Sequence, residues 1–116
     1  MTREEKFMQA AIGCAKRGLK QGEVPIGAVI VYEDKVVARG YNRRAKLQLA
    51  SAHAEMMAID RACKKFSSWR LPEGCELYVT LTAEISTRFG EKTYRISMQR
   101  VSLGEVVAKS GRAGTL

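Results

Sequence analysis

Ser51-Ala52-His53-Ala54-Glu55-Met56-Met57-Ala58-Ile59-Asp60 is the stretch on which the reading of the fold turns. Ser51 suits a helix N-cap, and Met56, Ile59, Cys63 and Phe66 recur at helical spacing. These residues predict a helix over about Ala52 to Lys65 with one apolar stripe facing a core. His53, the single histidine of the chain, and Glu55 then fall in its first turn. There the free backbone N–H groups and the positive end of the helix dipole favour nearby negative charge, whether a carboxylate or a metal-bound hydroxide. So short a pattern also recurs by chance, as a solvated imidazole and carboxylate on a helix, and the residues around it have to decide.

Upstream, Thr2 and Glu5 have capping-box spacing, and Phe7, Met8, Ala11, Ile12, Ala15 and Leu19 follow at three- and four-residue steps. A first helix is predicted from about Arg3 to Gly18, with Gly18 and Gly22 as terminators and Pro25 blocking continuation. Ile26–Tyr32 and Val36–Tyr41 are short apolar runs on either side of the polar turn Glu33-Asp34-Lys35, which predicts an antiparallel hairpin. The first run, apolar on both faces, should be central, and the second, which carries Arg39, nearer an edge. Asn42 to Ala50 reads as a basic connection with Arg43, Arg44 and Lys46. Downstream, Ser67–Gly74 reads as a loop and Glu76–Leu81 as a third strand, so a crossover through the central helix is available. The whole is an α/β layered domain.

At 116 residues the chain makes one domain with a modest core. Its net charge of +8 suggests an anionic partner, nucleic acid being the commonest, although a basic surface need have none. Cys14, Cys63 and Cys75 are odd in number and lack C-x-x-C spacing, which argues for a reducing compartment and for buried, inert thiols. The charged N-terminus has no signal-peptide core and no run approaches membrane-spanning length, so a cytoplasmic protein is expected.

Val24-Pro25-Ile26-Gly27-Ala28-Val29-Ile30-Val31, Gly40-Tyr41-Asn42, His53-Ala54-Glu55-Met56, Trp69-Arg70-Leu71 and Leu77-Tyr78-Val79-Thr80-Leu81 follow one another in the order and spacing that resembles the bacterial tRNA-specific adenosine deaminases of the cytidine deaminase-like superfamily. The likeness covers residues 1–81 and returns weakly over 100–116, at Arg100-Val101 and Ala113-Gly114-Thr115-Leu116. It implies a three-layer α/β/α cytidine deaminase-like domain, acting as a homodimer that converts adenosine to inosine at the wobble position of a tRNA anticodon loop. It also implies the site: His53 as a ligand of Zn2+, Glu55 as the proton carrier, Asn42 on the flipped base, and Arg39, Arg43, Arg44 and Lys46 on phosphates. Guanine and cytosine deaminases share the His-x-Glu pattern, but the basic loop after Asn42 suits a polynucleotide better than a free base.

Residues 82–99 depart from this pattern. The family follows its third strand with Glu-Pro-Cys-x-x-Cys, whose thiolates complete the zinc site and open a third helix. Here the chain reads Leu81-Thr82-Ala83-Glu84-Ile85-Ser86-Thr87-Arg88-Phe89. Without gaps, Glu84 and Thr87 fall on the two cysteine positions, and of these only a carboxylate is a good zinc donor. Tyr94, Ile96 and Met98 alternate with Arg95, Ser97 and Gln99, a strand period where the family has a helix. The domain is therefore expected to be incomplete after strand 3. A reading-frame or sequence error, a degenerate product and a true divergence to a non-catalytic tRNA-binding or dimerisation role all stay open.

Overall fold

The strand Gly27–Tyr32 (β1) sends Ala28 and Ile30 to one side and Val29 and Val31 to the other, and all four are fully buried. That pattern demands a cover on each face of the sheet. The computed structural model, which describes residues 1–47, 53–88 and 91–103, with the backbone alone at residues 45, 46, 81–88 and 91–98, supplies both covers. Helix α1 (Arg3–Lys20) lies on one face, where Phe7, Ala11 and Cys14 meet Val29, Val31 and Tyr78. Helix α3 (Ala54–Phe66) lies on the other, where Ala54, Ala58 and Ala62 meet Ala28, Ile30, Leu77 and Val79. The expected three-layer α/β/α arrangement of the cytidine deaminase-like fold is the one observed.

The sheet also contains β2 (Lys35–Tyr41), β3 (Glu76–Arg88) and β4 (Glu91–Ser102), in the order β2-β1-β3-β4, and a short helix α2 (Arg44–Leu47) precedes α3. β1 is antiparallel to both β2 and β3, so those two run parallel, joined across β1 through α3 as predicted. β2 is an edge strand, again as its sequence suggests. The β1–β2 turn places Glu33 and Asp34 in the left-handed region (φ 51° and 59°), a two-residue turn whose twist matches that of the strands. β4 returns from β3 antiparallel, with Glu76 opposite Ser102 and Arg88 opposite Glu91. Strand periodicity at Tyr94–Met98 is thus realised as a strand, and no helix separates β3 from β4.

Two glycines set how near the helices come. A Cβ on Gly27 would lie 2.1 Å from the carbonyl oxygen of Ala11 and 2.4 Å from the nitrogen of Ala15, so the backbone of α1 crosses directly over it. A Cβ on Gly40 would lie 2.3 Å from the carbonyl oxygen of Ala54, and α3 crosses there. Directly over these glycines only small residues fit, so alanines join the predicted stripes there: Phe7, Ala11 and Ala15 of the α1 stripe are buried, and Ile59 and Phe66 of the α3 stripe pack against the core from its edge. The α3 residues that are fully buried are Ala54, Ala58 and Ala62, while Met56 is exposed and Ile59, Cys63 and Phe66 are half-buried. On α1, Leu19 is exposed and Gly18, read as a terminator, is a buried helical residue packed against Tyr41. The helix runs on to Lys20, and Gly22 (φ 79°) makes the turn beyond it.

Other local expectations hold or shift by a few residues. Thr2 accepts the Glu5 amide at 3.2 Å and so caps α1. Ser51 lies outside the described residues, and the N-cap of α3 is His53. Asn42 to Ala50, read as a connection, contains α2. Cys14 and Cys75 are buried, and burial pushes both thiols above their ordinary range, as suits inert cysteines. Cys63 is half-exposed, its Sγ 3.8 Å from the carbonyl oxygen of Trp69.

The end of the sheet away from His53 is closed by an ion cluster that the sequence does not announce. Glu76, buried at the start of β3, is bound by the guanidinium groups of Arg3 and Arg100, and Arg3 also reaches Asp34 and, at 3.1 Å, the Tyr78 hydroxyl. The hydrogen bonds from Arg3, and then those from Arg100, hold the Glu76 carboxyl below the usual carboxylate range against the opposing effect of burial.

Gly27→Ala should cost about 3 kcal/mol by forcing α1 off the sheet, whereas Gly13→Ala, on the open face of the same helix, should gain about 0.5–1 kcal/mol; urea denaturation midpoints compare the two. Because the folded state favours ionised Glu76, its contribution is complete above the ordinary carboxylate range and drains away as pH falls through the depressed value. Glu76→Gln should therefore lose about 1–2 kcal/mol near neutrality and show a flatter acid limb when stability is followed against pH.

Candidate functional site

The carboxyl end of β2, the Leu77–Thr80 stretch of β3, the start of β1 and the N-terminus of α3 converge beside the sheet. Such a convergence is where layered α/β domains form crevices. The buried Thr80 ties two of these elements together, its Oγ1 accepting the Gly27 amide at 2.9 Å. Asn42, which follows β2, is fastened to the start of β1 by its backbone amide, 3.1 Å from the carbonyl oxygen of Ile26. Between them lies a cavity of about 430 Å³ lined by Ile26, His53, Glu55, Leu77, Val79, Thr80, Gln99 and Val101. That volume is in the range of small-molecule sites, and its lining of apolar side chains with a few polar groups is typical of them.

The structure brings His53 and Glu55 together on this cavity, as the sequence predicts, with one change of position. His53 is the N-cap, in extended backbone (φ −78°, ψ 150°), with its carbonyl accepting the Met57 amide at 2.9 Å. Glu55 alone of the pair is in the first turn of α3. An N-cap histidine makes no side-chain cap here, so its imidazole is left to face the cavity. Both side chains are half-buried, accessible to a ligand from the mouth.

Asn42 is not part of the cavity lining, but it is buried and its Oδ1 has no hydrogen-bond donor among the described residues. A buried amide oxygen without a partner is costly and is the kind of group a ligand satisfies. The basic residues divide. Arg39 and Arg44 are exposed; Arg43 is half-buried with its guanidinium 5.7 Å from the centre of the Tyr41 ring, and its Nε has no partner among the described residues. The side chain of Lys46 lies outside those described. Arg39 also offers its carbonyl to Arg61, at 2.7 Å. Thr80 and Gln99 are site residues that sequence reasoning missed. A threonine in an apolar strand gave no distinctive signal, and Gln99 reaches the cavity only because β4 pairs antiparallel with β3.

The pattern described as the cytidine and deoxycytidylate deaminase zinc-binding region matches residues 1–83. A tRNA-specific adenosine deaminase of Bacillus subtilis (strain 168) is 43% identical over 116 residues, which is all of this chain and 70% of that protein. The chain belongs to the tRNA-specific adenosine deaminases. A second relative of that name, from Aquifex aeolicus (strain VF5), is 46% identical over 78 residues, 67% of this chain and 51% of its own length. Among solved structures, one from a study of A-to-I editing by tRNA:A34 deaminases at the wobble position superposes with a TM-score of 0.66 at 41% identity, covering 72% of this chain and 63% of that one. A guanine deaminase from Bacillus subtilis gives 0.61 at 37% identity, covering 65% and 48%. The family match ends at residue 83, where the departure read from the sequence begins.

The family implies zinc, and the described residues do not make a zinc site. A tetrahedral centre needs at least three protein donors converging on one ion. Among the described residues no group of three His, Cys, Asp or Glu side chains is placed to hold a metal, and on the cavity His53 and Glu55 are the only such residues.

Thr80→Val, which keeps the shape and removes the acceptor, leaves the buried Gly27 amide unpaired and should cost about 1–3 kcal/mol in chemical denaturation. Thr80→Ser should recover most of that loss.

Proposed function

We propose that this chain serves the reaction of its family, the hydrolytic conversion of adenosine to inosine at the wobble position of a tRNA anticodon, and that its cavity receives the flipped adenine. The observation that carries the reading is the pairing of His53 and Glu55 at the helix N-terminus, on a cavity of nucleobase-compatible size, in a chain of tRNA-specific adenosine deaminase ancestry. Glu55 is the group positioned to move a proton between water and the departing amine. Asn42, with its unsatisfied Oδ1, is the group that would accept a hydrogen bond from the base or ribose. Among the described residues on the cavity His53 is the one best suited to donate to Zn2+, and a single donor does not make a zinc site.

Charge supports a polynucleotide substrate. The net charge of +8 suits a polyanion, and exposed Arg39 and Arg44, with Arg43 and Lys46 in the same segment, provide phosphate contacts that position an anticodon loop without reading its sequence. This favours tRNA over a free purine. We further assign the chain to the cytoplasm, where tRNA is found, and to a homodimer; no described helix is long and apolar enough to cross a membrane.

A second reading, a non-catalytic tRNA-binding or subunit-pairing relative, is favoured by the incomplete donor set. One experiment separates the two. Binding of an anticodon stem-loop with adenosine at the wobble position, and inosine formed from it, are measured on the purified chain. Both readings require binding that weakens steeply with salt, and Arg39→Ala with Arg44→Ala should lower the slope of log K against log salt by about 0.7–0.9 per lost contact. Inosine that disappears in Glu55→Gln selects catalysis; binding without inosine selects the second reading. No binding at low salt removes both.

A further inference from the structure

We infer that this chain has exchanged the metal-bearing half of the deaminase site for a pair of strands, leaving His53 and Glu55 on a cavity that takes a purine nucleoside without a metal. The inference rests on the substrate reading above and deepens it.

The argument is one of distance. His53 shares the cavity with Leu77, Val79 and Thr80, and of the described side chains on it Thr80 is the one furthest along β3 toward Glu84. The residues standing at the family's two cysteine positions are Glu84 and Thr87, and β3 continues as a strand from Glu76 through Arg88, past both of them. At about 3.3 Å per residue the backbone travels about 13 Å from Thr80 to Glu84 and about 23 Å to Thr87. Donors on one tetrahedral zinc lie within about 4 Å of each other. A strand therefore carries these positions out of reach of His53, whatever side chains they bear, where a helix opening just after Leu81 would have folded them back.

Pairing along β3 agrees with this. β1 accompanies β3 only from Glu76 to Val79, whereas β4 stays with it to Arg88. Beyond Thr80 the two strands continue together past the end of β1. On their return, Gln99 sits opposite Val79 and Val101 opposite Leu77, and both line the cavity. The wall that would hold two thiolates is thus closed by a neutral amide and an aliphatic side chain. The cysteines elsewhere cannot substitute. Cys14 belongs to the core on the α1 face, across the sheet from α3. Cys75 precedes Glu76 at the opposite end of β3. Cys63 lies about 15 Å along α3 from His53 at 1.5 Å per residue.

The test is metal content and metal dependence in the full chain. Zinc measured after desalting should be near zero, unchanged by His53→Ala, and stem-loop affinity should be the same in chelator as in zinc buffer. A full equivalent of zinc that is lost in His53→Ala overturns the inference, as does a tenfold or greater fall of affinity in chelator. The double variant Glu84→Cys with Thr87→Cys separates geometry from chemistry. If β3 runs as described, cobalt gives no thiolate charge-transfer band that depends on His53. Appearance of such a band, with cooperative unfolding retained, shows that these positions fold back onto the histidine and sinks the inference. Absence of stem-loop binding in every buffer would instead remove the substrate reading, while the zinc count still judges the metal claim by itself.

Discussion

The close approach of two helix backbones to one sheet, at Gly27 beneath α1 and at Gly40 beneath α3, is the constraint on which the rest of the structure depends. It draws Ala11 and Ala15 onto one face and Ala54 and Ala58 onto the other, because nothing larger fits. It also fixes where α3 begins relative to β2, and hence where His53 and Glu55 stand. Each glycine lies in one of the motifs on which the family resemblance rests, so Pro25-Ile26-Gly27-Ala28 and Gly40-Tyr41-Asn42 have a packing reason as well as an ancestral one. Substrate chemistry sits downstream of that packing. An imidazole at the N-cap can face the cavity only if the helix starts at that height over the strand.

From this follows a division of the molecule. Ile26, His53, Glu55 and the first residues of β3 bring the matched segment to the cavity, and Gln99 and Val101 of β4 complete its lining from outside that segment. Glu84 and Thr87, which stand at the family's two cysteine positions, lie beyond the residues 1–83 that match its zinc-binding pattern. The boundary falls just after Thr80, whose hydroxyl fastens β3 to β1 at the last residue before the strand leaves the sheet behind.

Much of this was legible in the residues alone. The doubly apolar β1, the polar turn at Glu33-Asp34, the crossover through the central helix and the strand period at Tyr94–Met98 each have a local physical signature, and each is realised. What was not legible depends on tertiary distance. Helical spacing picked Met56, Ile59, Cys63 and Phe66 for the core; Ile59 and Phe66 do pack against it, but the proximity imposed by Gly40 puts Ala54, Ala58 and Ala62 at its centre, and Met56 faces outward. Ser51 had the chemistry of a cap, whereas the cap is His53, chosen by where the sheet lets α3 begin. Glu76 reads as an ordinary strand carboxylate, since its partners Arg3 and Arg100 are remote in sequence and meet it only in the folded chain. Of the site, His53 and Glu55 could be named in advance because their spacing is local; Thr80 and Gln99 could not.

The Glu76 cluster also bears on how the chain comes together. One carboxylate joins the first turn of the first helix to the last strand, across sequence separations of 73 and 24 residues. During synthesis Arg3 emerges long before either partner, and ordering so large a loop is slow. The clasp thus closes after α1 and β1 can meet: Arg3 gains Glu76 only when β3 is in place, and Arg100 joins the same carboxylate when β4 pairs beside it.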